Sequence, residues 1–578
     1  MSTSSPAQRI STGPGDTSST LTGKTAINAL SDEYVVRLIA ISPISATQFG
    51  VHDRDSELDD LSPEGLAGQD ELVTGTLAAL AAAESTGRLD DVARDVILER
   101  LSVEHDRYRS GWMHADLNVI ASPVQAIRMI FDLTPTSTLQ QKSAFATRMR
   151  AVPAALAGYQ DSLRLAASKG QVSAARQVEK CASQCAAFAG SDDQPGFFST
   201  AVNRFQLSGD FADEVADAAH VAEVAYAALG GLLTDHLRPQ APEQDAVGPE
   251  RYSLASRQFL GATVNLQEGY EWGWQELLSI EAEMHEVAAR IAPGLGPKGA
   301  AAILDRDPNH LVKGRDGLQA WMQNVSDRAL EDLGRNHFDI PEPLRTLECL
   351  IAPPGGGVGA HYIPPSDDFS RPGRMWRSVE AGRNDFPTWR ETTVVYHEGV
   401  PGHHLQLATA VLATDRLNDF QRLLAGTSGH AEGWALHAER LVREIGYLKT
   451  EGDLLGMLGW QLFRAARVVV DIGMHLQLPI PAGTGFHDGE RWTPAMGLEF
   501  LLTRTLTDPA LCRDEIDRYL GWPGQAPSYK IGERIWLEGR ALARNRHGSS
   551  FDEKAFHREA LNLGGMGLEP LAVALARL

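Results

Sequence analysis

From His397 to His404 the chain reads His-Glu-Gly-Val-Pro-Gly-His-His. Imidazoles and a carboxylate this close together are the ligands and the base that a metal-activated water requires. Zinc hydrolases often carry His-Glu-x-x-His on a helix, with both imidazoles on one face and the glutamate beside them. Here the fourth residue after His397 is Pro401, so a regular helix does not supply the pair. His403 falls roughly 240° around an ideal helix from His397, and His404 faces correctly but stands about 10 Å along the axis. Two nitrogens on one zinc must each come within about 2 Å of it. Pro401 and Gly402 resolve the conflict. Proline removes the hydrogen bond back to the carbonyl of His397, and glycine lets the chain turn. A two-residue bulge then returns His403 to the ion, and His403 is preferred over His404 because it needs the smaller bulge.

A third protein ligand leaves one position open for water. The segment Ser428-Gly-His-Ala-Glu-Gly-Trp-Ala-Leu-His-Ala-Glu offers Glu432, with His430 and His437 as rivals. Gly433 allows its helix a close approach, and Glu439, on the same face, is placed to orient a ligand histidine. Zinc held by His397, His403 and Glu432 lowers the pKa of its water to about 7, and Glu398 is the general base that takes the proton. Another divalent metal also suits these ligands. The oxyanion needs a second donor, for which the hydroxyl of Tyr529 is a candidate.

The elements that must position these groups are mostly helical. Thr388 and Glu391 have the spacing of a capping box, which starts a helix ending at His397 and Glu398. The β-branched run Thr392–Val395 pulls toward strand, but a buried helix is preferred. Upstream, Ala93, Ile97 and Leu101 recur at helical spacing, and helix is expected from about Leu30 to about Leu237. Arg238–Glu250 reads as a surface loop. The texture changes between about Leu344 and Pro387, where Ala352–Gly359 is too rich in Pro and Gly for a helix. Short extended pieces, forming a small sheet, are expected there. The glycines lack the Gly-Lys-Ser/Thr of a phosphate loop and are assigned a structural or substrate-lining role. Helices return from Thr388, and Thr493-Pro494 marks one helix start.

The bulk composition narrows the function classes. The chain has 578 residues, 43% hydrophobic and 22% charged, an ordinary globular balance. Its formal net charge of −22 argues against nucleic acid and against an anionic membrane surface. The four cysteines form no CxxC pair and read as buried free thiols, which fits a reducing compartment. The Ser/Thr/Gly-rich start has no apolar stretch, and no run of about eighteen apolar residues occurs anywhere. The expectation is a cytoplasmic protein with a disordered tail over residues 1–25 and a single domain over 26–578. That domain divides at about 26–340, 341–386 and 387–578 into a helical lobe, a small β region and a helical catalytic lobe.

His397-Glu-Gly-Val-Pro-Gly-His-His404 with Gln406, Glu432-Gly-Trp-Ala-Leu436 with Glu439, and Pro523-Gly-Gln525 with Tyr529-Lys-Ile-Gly532 resemble the bacterial domain-of-unknown-function family 885. Asp471-Ile-Gly-Met-His475, Tyr362-Ile-Pro-Pro-Ser366 and Thr47–Asp53 add to the resemblance, which covers nearly the whole chain after the tail. It implies a mainly α, two-lobed scaffold around a deep cleft lined by a small sheet. It also implies a distant similarity to helical zinc peptidases such as angiotensin-converting enzyme and the thimet oligopeptidase group. By that analogy Tyr529 becomes a better oxyanion donor. His404, His475, Lys530 and Tyr362 become substrate contacts, with Lys530 on a terminal carboxylate. The family tends to have tyrosine where this chain has His437, which keeps open a metal-dependent amidase or esterase acting on a non-peptide or modified amino-acid substrate. The leading expectation is a zinc-dependent hydrolase of short peptides, as a monomer or homodimer. A non-catalytic metal-binding helical protein is the remaining reading.

Overall fold

A computed structural model describes residues 24–191, 193–352, 359–380 and 382–578. Most of the glycine-rich 352–359 segment and residues 1–23 of the expected tail lie outside them. Lys24 and Thr25 lie inside, and the Thr25 side chain caps helix Ala26–Ile41 by accepting from the Asn28 amide at 3.3 Å. The fold is mainly α, with two small sheets. Among the described residues no helix is long and apolar enough to cross a membrane.

The chain forms two compact units, one of residues 24–94, 101–247 and 520–522, the other of 95–100, 248–519 and 523–578. The expected 26–340 lobe therefore divides, since residues 248–340 fall in the same unit as the His397–His404 segment. In the first unit α1 (Leu139–Ser168), α2 (Ala175–Ala189) and α3 (Asp210–Leu232) pack together. Edge-to-face rings fill the core beside them. Phe131 meets Phe145 at 5.0 Å and Phe198 at 5.1 Å between centroids, the arrangement that ring quadrupoles favour. Cys181 and Cys185 share the buried face of α2, and all four cysteines are free and buried.

The second unit holds the motif-bearing elements: α4 (Leu266–Ile291), α5 (Thr388–Glu398), α6 (His403–Leu412), α7 (Ser428–Glu444), α8 (Glu451–Leu476) and α9 (Ser528–His547). Its strands are β1 (Leu311–Lys313), β2 (Leu347–Ile351), β3 (Ala360–Ile363), β4 (Gly373–Arg377) and β5 (Asp385–Pro387). β1 pairs antiparallel with β5, and a second sheet runs β2-β4-β3, with β3 antiparallel and β2 parallel to β4. The extended 344–387 region therefore forms strands as the sequence suggests. Thr493 caps its helix and Pro494 takes the first turn, also as read.

One local reading is corrected. Thr388 and Glu391 form no capping box: Pro387 is the cap, and the Glu391 carboxylate instead receives both arms of Arg377 from β4, each at 2.8 Å. Both side chains are largely buried, and removing one partner of such a pair costs on the order of 3 kcal/mol. The Thr392–Val395 run stays helical because α5 is packed in the interior, where tertiary burial outweighs β propensity.

Two sequence motifs meet at one buried carboxyl. Asp471 of α8 accepts from the Tyr252 hydroxyl at 2.6 Å and from the Gly524 amide at 2.9 Å, so it pins the turn that leads into α9. Burial raises its pKa to about 7, against the opposing effect of these hydrogen bonds and of Arg518. A carboxyl whose folded pKa exceeds its unfolded value stabilises the fold most at low pH, and that contribution fades as pH rises through the folded value. Denaturant unfolding of the wild-type chain and of Asp471→Asn at pH 4 and pH 8 should therefore diverge. The wild type is expected to lose about 4 kcal/mol relative to the variant on going to pH 8, and an unchanged difference would contradict the assignment.

Candidate metal centre

The helix that carries His397 stops one residue later. Gly399 closes α5, and α6 begins with His403. The connection is a tight turn between two helices rather than a bulge within one. The Gly402 amide donates to the Tyr396 carbonyl at 3.0 Å, and the His404 amide to the Gly399 carbonyl at 3.1 Å. A β-carbon on Gly402 would sit 1.9 Å from the His397 carbonyl oxygen, so only glycine fits. The indole of Trp434, fully buried on α7, ties the turn down by donating to the carbonyls of Pro401 (2.8 Å) and Gly402 (3.1 Å). Sequence reading missed this clamp, although Trp434 stands two residues after Glu432.

α7 brings Glu432 to the turn. Thr427 caps the helix by accepting from the His430 amide at 3.2 Å, a bond worth about 1 kcal/mol. α7 then runs against α9 at the closest approach: a β-carbon on Gly433 would lie 2.3 Å from the carbonyl carbon of Gly532. Substituting either glycine would push Glu432 away from the histidines.

The result is a compact set of three candidate ligands. Glu432 Oε2 lies 3.3 Å from His397 Nε2 and 3.6 Å from His403 Nε2, and one ligand atom from each residue falls within 4.8 Å of the others. Metal–ligand bonds of 2.0–2.1 Å at tetrahedral angles give a ligand–ligand separation of about 3.4 Å. The two imidazole rings stand nearly perpendicular, at 85°, with centroids 4.8 Å apart. Glu432 Oε2 is buried and makes no hydrogen bond among the described residues, and the same holds for Glu398 Oε2. Buried, unpartnered carboxylate oxygens are costly. A cation at Glu432 and a bound water at Glu398 would satisfy both, so the donor set fits a divalent ion.

The carboxylates around His397 favour a positive charge there, and a divalent ion bound to its Nε2 would displace the proton. Burial pushes the His397 imidazole down, but the carboxylates of Glu432 and Glu439 outweigh it and lift its pKa to about 10. Burial raises Glu432, yet the imidazoles of His397 and His403 hold it well below the usual carboxylate range. Glu439 plays the orienting part expected of it: its Oε1 lies 2.8 Å from His397 Nδ1, which leaves Nε2 to face Glu432.

The remaining sequence candidates fall elsewhere. His404 turns away from the triad. Its Nε2 donates to the Leu344 carbonyl at 2.8 Å, and its Nδ1 accepts from the Tyr362 hydroxyl of β3 at 2.9 Å. Burial keeps it neutral by lowering its pKa. Both ring nitrogens are thus engaged, and Tyr362 serves first to hold the residue next to His403. His475 is fully buried and donates from Nε2 to the Tyr519 carbonyl at 2.9 Å, which leaves no surface for a substrate. Lys530 is fully buried as well. Its three donors go to Glu276 (2.8 Å), Gln461 (2.9 Å) and Glu533, leaving none for a terminal carboxylate. These two expectations give way because a motif can mark a residue as important without saying which partners the fold gives it. Tyr529 is half-buried at the start of α9, with the Arg467 guanidinium 4.6 Å from its ring centroid. No hydrogen bond among the described residues ties it to the triad.

The rival ligands are also engaged apart from it. His430 lies against the Gln406 amide at 3.4 Å, and burial lowers its pKa to about 4. His437 stacks on Trp536 and lies 3.3 Å from His557, Nε2 to Nε2. The departure at His437 therefore faces a buried aromatic cluster, not the candidate ligands.

This geometry makes a discriminating prediction for the adjacent histidines. The wild-type chain is expected to hold one zinc ion. His403→Ala should lose it, whereas His404→Ala should retain it, as read by elemental analysis after dialysis against a weak chelator. The reverse pattern would contradict the assignment.

A family model described as "Bacterial protein of unknown function (DUF885)" matches residues 43–575. No curated protein matches the sequence. A crystal structure described as a "putative lipoprotein" from Colwellia psychrerythraea superimposes with a TM-score of 0.82 at 21% identity, covering 99% of each chain. A second structure, of a lipoprotein so described and of unknown function from Shewanella oneidensis, gives a TM-score of 0.72 at 18% identity, covering 95% of this chain and 99% of that one. At such identities these likenesses speak to fold alone. The family match spans nearly the whole chain, and the protein is thus a member of the bacterial DUF885 family.

Proposed function

We propose that this chain is a zinc-dependent peptidase that cleaves amide bonds of short peptides, with His397, His403 and Glu432 as ligands and Glu398 as general base. One observation carries the reading: Glu432 Oε2 is buried 3.3 and 3.6 Å from two imidazole nitrogens and accepts no hydrogen bond among the described residues, and neither does Oε2 of Glu398, the neighbour of His397. A structural ion pair alone gives no reason for the Glu398 oxygen next along the chain to be buried without a hydrogen bond. A divalent ion held there would supply an activated water, with a pKa of about 7, and polarise the scissile carbonyl. Manganese or another divalent ion suits the same ligands.

The chain's own residues supply the rest of the chemistry. Glu398 Oε2 takes the proton from the attacking water and passes it to the departing amide nitrogen, so the amine leaves neutral. The hydroxyl of Tyr529 is the candidate donor to the developing oxyanion. β3 is an edge strand whose outer side pairs with no other strand among the described residues, an edge onto which an extended peptide could add, and Tyr362 links it to the residue beside His403. The deep cleft implied by the family resemblance belongs to this proposal, as do a cytoplasmic location and the absence of nucleic-acid or membrane partners. The net charge of −22 is in keeping with the last of these.

Glu398→Gln tests the reading. Turnover of a short-peptide library, followed by mass spectrometry, is expected to fall at least about a hundredfold while zinc content stays at the wild-type level. Retained turnover would overturn the general-base role. Cleavage of N-acylated amino acids with no cleavage of peptides would replace the peptidase with an amidase.

A further inference from the structure

Behind His397 lies a buried hydrogen-bond chain with only one possible direction. It starts at Lys530 of α9, whose ammonium has donors and no acceptor. Lys530 Nζ donates to Gln461 Oε1 of α8 at 2.9 Å. That contact fixes which end of the Gln461 amide is oxygen, so its NH₂ must face Glu439, where Nε2 donates to Oε2 at 2.7 Å. Glu439 is thereby an acceptor at both oxygens, and its Oε1 receives Nδ1–H of His397 at 2.8 Å. Lys530, Gln461 and Glu439 are each no more than 1% exposed, so water does not substitute for any member.

The starting cation is itself held in place. Lys530 also donates to Glu276 of α4 at 2.8 Å and to Glu533, and Arg440 of α7 binds the same two carboxylates, with Nε 2.6 Å from Glu533. Two cations and two carboxylates are balanced, so Lys530 need not neutralise Glu439 directly. Burial raises Glu533, but the charges of Lys530 and Arg440 outweigh it and keep it below the ordinary carboxylate range. Without Lys530 the Gln461 amide loses the contact that orients it. Its carbonyl could then turn onto Glu439, setting two acceptors against each other.

We propose that Lys530 is a positioning residue for the metal centre: acting through Gln461 and Glu439, it fixes His397 with the proton on Nδ1 and the Nε2 lone pair aimed at the ion. The inference rests on the metal-site reading of the triad. It also gives Lys530 a role that the expected contact with a substrate carboxylate does not.

The test measures metal affinity rather than turnover. Zinc dissociation constants are determined by competition with a chromophoric chelator for the wild type, Gln461→Met, Lys530→Met and the double variant, with thermal melts to report folding. Gln461→Met removes both hydrogen bonds without removing a charge and is expected to stay folded, with zinc bound 10–100-fold more weakly. Lys530→Met should weaken binding similarly, and the double variant should bind no worse than the weaker single, because the links act in series. If Lys530→Met unfolds, Gln461→Glu takes its place. Its carboxylate still meets Lys530 but opposes Glu439, and it should also weaken zinc binding. Wild-type affinity in Gln461→Met, or losses that add in the double variant, would overturn the relay. A wild-type chain that binds neither zinc nor cobalt would overturn both this inference and the metal site. Zinc bound with the expected losses but no peptide cleaved would overturn the peptidase reading and leave the relay standing.

Discussion

The carbonyl oxygen of His397 occupies the space where a side chain at position 402 would stand, 1.9 Å from that residue's missing β-carbon. This contact lets two helices meet end to end within four residues. The turn between them converts a spacing that no regular helix can use into two imidazoles facing one carboxylate. The neighbouring elements hold that turn in place. Trp434 bonds to its carbonyls, the α7–α9 crossing at Gly433 sets the height of Glu432, and Glu439 sets the rotation of the His397 ring.

The supporting shell is more heavily charged than the candidate ligands themselves. Glu276, Arg440, Lys530 and Glu533 come from three helices and bond to one another, with Lys530 and Glu533 fully buried, and Gln461 links Lys530 to Glu439. Buried ion pairs of this kind add little net stability, because desolvation offsets most of their attraction. What they add is geometry: each partner has few ways to satisfy itself, so the group it holds has few orientations. That trade suits a site whose nitrogens must converge within tenths of an ångström.

Much of the site was legible from residue types and spacing. His397, His403 and Glu432 are rare chemistry placed around a Pro-Gly break, and a chain of L-residues has few ways past such a break. Glu439 was legible because helical periodicity puts it on the face of Glu432. The failures share a physical cause. Thr388 and Glu391 have the spacing of a cap, but Arg377, fourteen residues away on a strand, offers the carboxylate two charge-assisted bonds where a cap offers one. His475 and Lys530 belong to motifs that resemblance singled out, yet each is enclosed by partners that pair only once the helices pack. The expected bulge became a full break because the Gly402 amide reaches back to the Tyr396 carbonyl, a bond that local spacing did not suggest. The mainly helical fold and the small sheet followed from periodicity and from the Pro/Gly texture. The division into two units, with residues 248–340 joining the second, depends on long-range contacts that no local pattern carries.

We propose that one divalent ion binds between His397, His403 and Glu432. A crystal of the zinc-loaded chain, measured on both sides of the zinc absorption edge, tests it directly. A single strong anomalous peak is expected about 2.0–2.2 Å from His397 Nε2, His403 Nε2 and Glu432 Oε2, with His404 uninvolved. An anomalous map with no peak there, or with zinc bound instead through His404, His430 or His437, would contradict it.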